Sequence, residues 1–146
     1  MKRILLLFTL ALFMATVVIV SAPAYAAKPH PLAITILSPG PGDTDVALSP
    51  GRVVVFLDPF LDSDNLARKV RLTNVNTGED VTPLDIGYNF PELSITTPGT
   101  TFECGTTYEV SLIRLKSLAG GKLSEAPEGV TLKGGVATWT FTTVDC

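Results

Sequence analysis

The chain has 146 residues, 46% of them apolar, with 11 basic and 14 acidic side chains. The apolar excess is local: Met1 to Ala26 holds 20 apolar residues, leaving 47 of the following 120, or 39%, an ordinary soluble composition for one domain. Removing Lys2 and Arg3 with that segment leaves 9 basic against 14 acidic residues, which argues against nucleic acid and anionic membrane surfaces as partners, because counterion release at phosphates needs clustered cations.

The first segment has the form of an export signal. Met1-Lys2-Arg3 is a positive start, Ile4 to Val20 is a run of apolar residues and threonines, and Ser21-Ala22-Pro23-Ala24-Tyr25-Ala26 supplies a breaker followed by small residues. Ala24 and Ala26 occupy the two positions a signal peptidase reads, so residues 1–26 are expected to be a Sec-type signal cleaved between Ala26 and Ala27. The rival reading is an uncleaved anchor, since the run approaches the roughly 20 residues that span hydrocarbon. With cleavage no membrane span remains, and the product is secreted, periplasmic or at the cell surface. Residues 27–33 form an N-terminal leader and residues 34–146 a single β domain.

Short alternating or β-branched runs then recur between Gly, Pro, Asn and Asp clusters, and helical periodicity is almost absent. Ala33 to Leu37 reads as a strand that stops at Ser38-Pro39-Gly40. Arg52 to Leu57 is nearly all apolar, as in a central strand. Asp62 to Ala67 is the one plausible helical turn, with Asp62 or Ser63 as cap. Lys69 to Val75 alternates and runs into Asn76-Thr77-Gly78-Glu79, a hairpin turn with Gly available for positive φ. Val81 to Tyr88 is the expected return strand, kept at an edge by Pro83. Leu93 with Ile95, Tyr108 with Val110 and Leu112, and Trp139 with Phe141 alternate with polar residues. About seven such strands predict an all-β, antiparallel, Greek-key β-sandwich.

The strongest local signal is Phe102-Glu103-Cys104-Gly105-Thr106-Thr107-Tyr108, a tyrosine opening a strand after a glycine turn, the position of the tyrosine corner. Together with Leu37-Ser38-Pro39, Asp45-Val46, Val54-Val55-Phe56, Leu93-Ser94-Ile95, Leu118-Ala119-Gly120 and Trp139-Thr140-Phe141-Thr142-Thr143, it resembles the bacterial Ig-like domain of the S-layer SbsA kind over residues 34–143. The resemblance implies an extracytoplasmic Ig-like sandwich used as a spacer or adhesive module. The chain departs from that pattern in being a single copy and in having Cys104 where the family usually has proline.

The cysteines can be placed by the expected topology. If Thr106 to Leu115 pairs with Val136 to Val144, opposed residue numbers sum to about 250, and Cys104 and Cys146 share that sum. A disulfide at the open end of the pair follows for an exported chain, the alternative being two free thiols.

No catalysis is expected. The only histidine is His30, in the leader, so no Ser-His-Asp or Cys-His arrangement can assemble. His30 prompts comparison with CopC-like copper-resistance sandwiches, which the opening half resembles in a general way. Cleavage before Ala27 leaves His30 fourth in the chain, and no methionine follows Met14. Asp62-Ser63-Asp64 begins like a calcium loop but lacks the EF-hand Gly and Glu. If Asp43 and Asp45 lay at the same end, the four carboxylates could converge on calcium; turn and cap chemistry explains each aspartate singly. Lys116 to Gly135 is long for a hairpin connection and carries Leu118, Gly120, Leu123 and Pro127, so it is expected to be a binding loop, to hold a small extra strand or to be a packed insertion. The resulting expectation is a secreted or cell-surface Ig-like module with a non-catalytic structural, adhesive or binding role toward protein or glycan at the envelope. The alternative is a periplasmic metal-binding sandwich, CopC-like for copper or calcium-dependent. No cofactor is expected; calcium is the one candidate.

Overall fold

Residues 28–146 are described by the computed structural model; the expected signal and its Ala26/Ala27 cleavage site lie outside the described residues. In chain order the elements are β1 (Leu32–Ser38), β2 (Arg52–Asp58), α1 (Leu66–Lys69), β3 (Val70–Asn74), β4 (Glu79–Asp80), β5 (Asp85–Asn89), β6 (Glu92–Thr96), a 3-10 turn (Pro98–Thr100), β7 (Thr107–Ile113), β8 (Leu123–Glu125), β9 (Thr131–Lys133) and β10 (Val136–Thr142).

Two five-stranded sheets face each other, one in the order β5-β6-β2-β1-β8 and the other β4-β3-β7-β10-β9. Without β4, β8 and β9, the seven remaining strands have the order of an Ig constant-type domain, four in one sheet and three in the other. The period-two pattern explains the core. Val53, Val55 and Leu57 on β2, Tyr108, Val110 and Leu112 on β7, and Ala137, Trp139 and Phe141 on β10 all point between the sheets and are buried. β2 is central in its sheet, between β1 and β6, and its outward Val54 and Phe56 are half-buried.

Four sequence expectations are corrected. First, there are ten strands rather than about seven, because Glu79–Asp80 pairs with β3 as the separate strand β4 and the chain from Lys116 to Gly135 forms two more: β8 lies parallel to β1 and β9 pairs with β10. Second, β1 begins at Leu32, which is fully buried, so the 27–33 leader loses Leu32 and Ala33 to the sandwich. Third, Val81 to Tyr88 is not one return strand. The Asn76 to Glu79 hairpin turn forms, with Gly78 at φ 76° and its N–H donating to Asn74 O at 2.7 Å, but the return stops after Glu79–Asp80. Pro83 cannot continue a ladder, and the chain crosses to the edge of the opposite sheet as β5. Fourth, the helical turn is Leu66–Lys69, preceded by Asn65 in the left-handed region with no side-chain cap; Asp62 Oδ1 accepts from the nearby Asp64 N–H instead.

Because strands alternate in direction, the connections sort into two ends. The chain enters at one, where Leu32 N–H donates to Lys122 O at 3.0 Å and the Ser117 hydroxyl donates to His30 O at 3.2 Å. Gly121 packs so closely there that a Cβ would run into the His30 carbonyl. The β1–β2 connection, the β6–β7 connection and the C-terminus gather at the other end, where Val46 bridges Thr143.

Candidate binding surface

The far end is closed by hydrogen bonds and a disulfide. β7 and β10 pair from Thr107↔Thr142 to Val136↔Ile113, one residue from the register expected. That register brings Cys104 and Cys146 together, their Cα atoms 5.6 Å apart and the bond formed. Tyr108 is buried against Phe102 and Phe141, and its hydroxyl accepts the Glu103 N–H at 2.9 Å, which is the tyrosine corner. Burial pushes the Tyr108 phenol above its usual 10; the Glu103 backbone bond offsets part of this and the Glu103 carboxylate adds to it. The Thr143 hydroxyl donates to Glu103 O at 2.6 Å and accepts from Thr106 N–H at 2.9 Å. An open cleft of about 470 Å³ beside Tyr108 is lined by Glu79, Asp80 and Glu103, and Glu103 is already bonded to Asn74 Nδ2 at 3.0 Å.

The four aspartates do not converge. Asp43 lies in the β1–β2 connection at the far end, where its carboxylate accepts the Gly40 N–H at 2.6 Å, and Asp45 follows there at φ 57°. Asp62 and Asp64 lie in the β2–β3 connection at the entry end, where Asp62 N–H donates to Lys116 O at 2.9 Å. A strand's length separates the two pairs, so the condition for a shared calcium site, all four aspartates at one end, is not met. Among the described residues no group of three or more His, Cys, Asp or Glu is placed to hold a metal ion, and His30 is exposed.

The four loop candidates also part company. Leu123 is a core residue on β8, and Gly120 takes φ 83° in a tight turn whose N–H donates to Ser117 O. Pro127 is half-buried and turns the chain toward Val130. Only Leu118 presents an apolar side chain to solvent, at 71% exposure. Sequence reasoning missed its neighbours. Leu118 N–H donates to Phe60 O at 2.8 Å, and Phe60 stacks on Phe90 with ring centroids 3.9 Å apart, both rings substantially exposed. Phe60 follows Pro59 and Phe90 precedes Pro91 in connections between strands, and an aromatic beside a turn proline was the available signal. Nearby, a cleft of about 640 Å³ is lined by Arg114, Lys116, Lys122, Gly134 and Gly135. The open, apolar and cationic surface is therefore the entry end.

No protein-family model and no curated protein matches the chain. Solved structures do. The S-layer protein SbsC, residues 31–844, is 16% identical with a TM-score of 0.51, covering 79% of this chain and 14% of that one. PcoC, a methionine-rich copper resistance protein from Escherichia coli, is 14% identical with a TM-score of 0.55, covering 78% of this chain and 99% of that one. E. coli alpha-2-macroglobulin is 19% identical with a TM-score of 0.52, covering 80% of this chain and 6% of that one. The chain thus spans a small part of the S-layer protein and matches PcoC over its whole length. At these identities the likeness shows a shared β-sandwich fold, found in domains of bacterial surface proteins.

Proposed function

We propose that this chain is an extracytoplasmic Ig-like module, of the kind the sequence likens to SbsA domains, with a structural, adhesive or binding role and no catalysis. The observation that carries the reading is the division of labour between the two ends: one is closed by a disulfide and a tyrosine corner, the other exposes Phe60, Phe90 and Leu118 beside cationic loops. Rigid sandwiches bind through loops held this way. The fold shared with S-layer SbsC supports an envelope setting, and the chain's one histidine, exposed at the leader, offers no general base held against a nucleophile. The test is retention of the labelled protein on washed envelopes of the producing cell. Saturable retention is expected; recovery of the native protein in the cytoplasm, or retention that never saturates, overturns the reading.

The match to PcoC over 99% of that chain favours a second reading, a periplasmic metal-binding sandwich, CopC-like for copper or calcium-dependent. Its difficulty is the ligand supply: the only methionines are Met1 and Met14, within the expected signal. Metal analysis of the purified protein separates the two, since stoichiometric copper or calcium would favour the second.

A further inference from the structure

The fold segregates the chain's charge. Lys28 lies on the entering segment, Arg68 and Lys69 on α1, Arg114, Lys116 and Lys122 in the β7–β8 connection and Lys133 at the end of β9, all at the entry end. Seven of the nine cations after residue 26 are thus at one end, opposed there by Asp58, Asp62, Asp64, Glu92 and Glu125, a surplus of two positive charges. The rest of the sandwich holds two cations and nine carboxylates, an excess of seven negative charges. The two ion pairs among the described residues use Arg52 with Glu92 and Arg71 with Asp80, so all seven entry-end cations are without a carboxylate partner. Six of them are exposed and Lys69 is half-buried.

Two features coincide at this end. The cationic cleft of Arg114, Lys116 and Lys122 can take a phosphate oxygen from several directions. Phe60, Phe90 and Leu118 are exposed at the same end, an apolar tip too small to be a core and costly to leave in water. Cations around a few aromatic and aliphatic tips are the composition that binds the headgroup boundary of a bilayer.

We propose that the entry end docks on an anionic lipid surface, with phosphate headgroups in the Arg114/Lys116/Lys122 cleft and Phe60, Phe90 and Leu118 at the acyl boundary. This deepens the binding role proposed above by naming its partner, and it rests on that reading. The net negative charge does not forbid it. A seven-residue strand is about 23 Å long, nearly three times the roughly 8 Å Debye length at physiological ionic strength, so the acidic far end is largely screened from the surface. The same polarity orients the molecule, with Cys104–Cys146 pointing away from the bilayer.

All ten strands and the buried core lie between Leu32 and Thr142, so a chain beginning at Ala27 retains the sandwich and removes the apolar leader from the test. This chain is floated with vesicles of phosphatidylcholine alone and of phosphatidylcholine mixed equally with phosphatidylglycerol. Binding to the mixed vesicles only, falling as salt rises, is expected. Each cation removed costs about fivefold in affinity, so Lys116→Gln with Lys122→Gln lowers it about 25-fold. Phe60→Ser with Phe90→Ser weakens it further, while Asp45→Asn at the far end changes nothing, each variant keeping the wild-type circular dichroism. Equal binding to both vesicle types, no binding to either, or indifference to the lysine pair overturns the proposal. Binding to a soluble polyanion as tight as to vesicles and insensitive to the phenylalanine pair overturns it too. Saturable retention on envelopes without vesicle binding removes the lipid partner and leaves the module reading standing.

Discussion

Trp139 and Pro39 are 100 residues apart in the chain, and the Trp139 indole N–H donates to the Pro39 carbonyl at 3.1 Å inside the sandwich. The bond ties the last strand to the connection leaving the first, so it spans both sheets. Trp139→Phe keeps an aromatic ring and removes the side-chain donor to this carbonyl. A buried acceptor left unpaired costs about 1–3 kcal/mol, and the lost ring volume adds to that. Urea unfolding followed by circular dichroism is expected to show the midpoint falling with an unchanged slope. An unchanged midpoint would mean that the loop moves to solvate the carbonyl.

Tyr108 links stability to alkaline pH. Its folded-state pKa lies above the ordinary 10, so its contribution is fully present below about pH 10 and is lost as pH rises through the folded value, because the unfolded chain releases the proton first. Tyr108→Phe removes the acceptor for Glu103 N–H and costs about 1–2 kcal/mol at neutral pH. The variant should also lose less stability than wild type between pH 9 and 11, which thermal melts across that range would reveal; parallel losses would refute the assignment.

Reduction of Cys104–Cys146 removes a cross-link between residues 42 apart, worth at most about 4 kcal/mol by chain entropy. The tail it closes is also held by Gly105 N–H to Val144 O at 2.8 Å and by Thr143 on Glu103, so the reduced protein is expected to remain folded with a lower melting temperature. Paired melts with and without reductant, with thiol alkylation scored by mass, check both halves of that statement.

Two glycines should respond oppositely to what backbone angle alone suggests. Gly78 has φ 76° but open space around it, so Gly78→Ala costs only the left-handed penalty of about 1–2 kcal/mol. Gly51 is buried, and a Cβ there collides with the Thr97 side chain and the Thr101 backbone, which the Gly51 hydrogen bonds to Thr97 and Thr100 hold in place. Gly51→Ala is therefore expected to cost more, about 3 kcal/mol as an overpacked core site, and equal losses in denaturant melts would contradict this.

The segment from Lys116 to Gly135 can be dissected with two leucines. Leu123→Ala empties a buried site and should cost about 2–5 kcal/mol, whereas Leu118→Ala should stay within about 0.5 kcal/mol. Deleting residues 120–133 should destabilise the sandwich, because it removes β8 from the edge beside β1 and β9 from beside β10. A deletion variant as stable as wild type would show these strands to be dispensable.

Much of this protein is local and therefore legible in the chain itself. Alternation along Arg52–Asp58, Thr107–Ile113 and Val136–Thr142 reflects side chains pointing to opposite faces every other residue, a property of each strand alone. Tyr108 after Gly105, the Asn76 to Glu79 turn and the pairing of Cys104 with Cys146 follow from the same local geometry plus one antiparallel register. Which sheet a strand joins is not local. The crossing at Pro83, the parallel placement of β8 on β1 and the burial of Leu123 depend on which edge each segment meets after the rest has folded. The same holds for the surface. Net charge is a sum over residues and carries no direction, so the chain as written reads as uniformly acidic, and the four aspartates read as one possible site. Only the up-and-down course of the strands carries Asp43 and Asp62 to opposite ends and gathers seven cations at the end that exposes Phe60, Phe90 and Leu118.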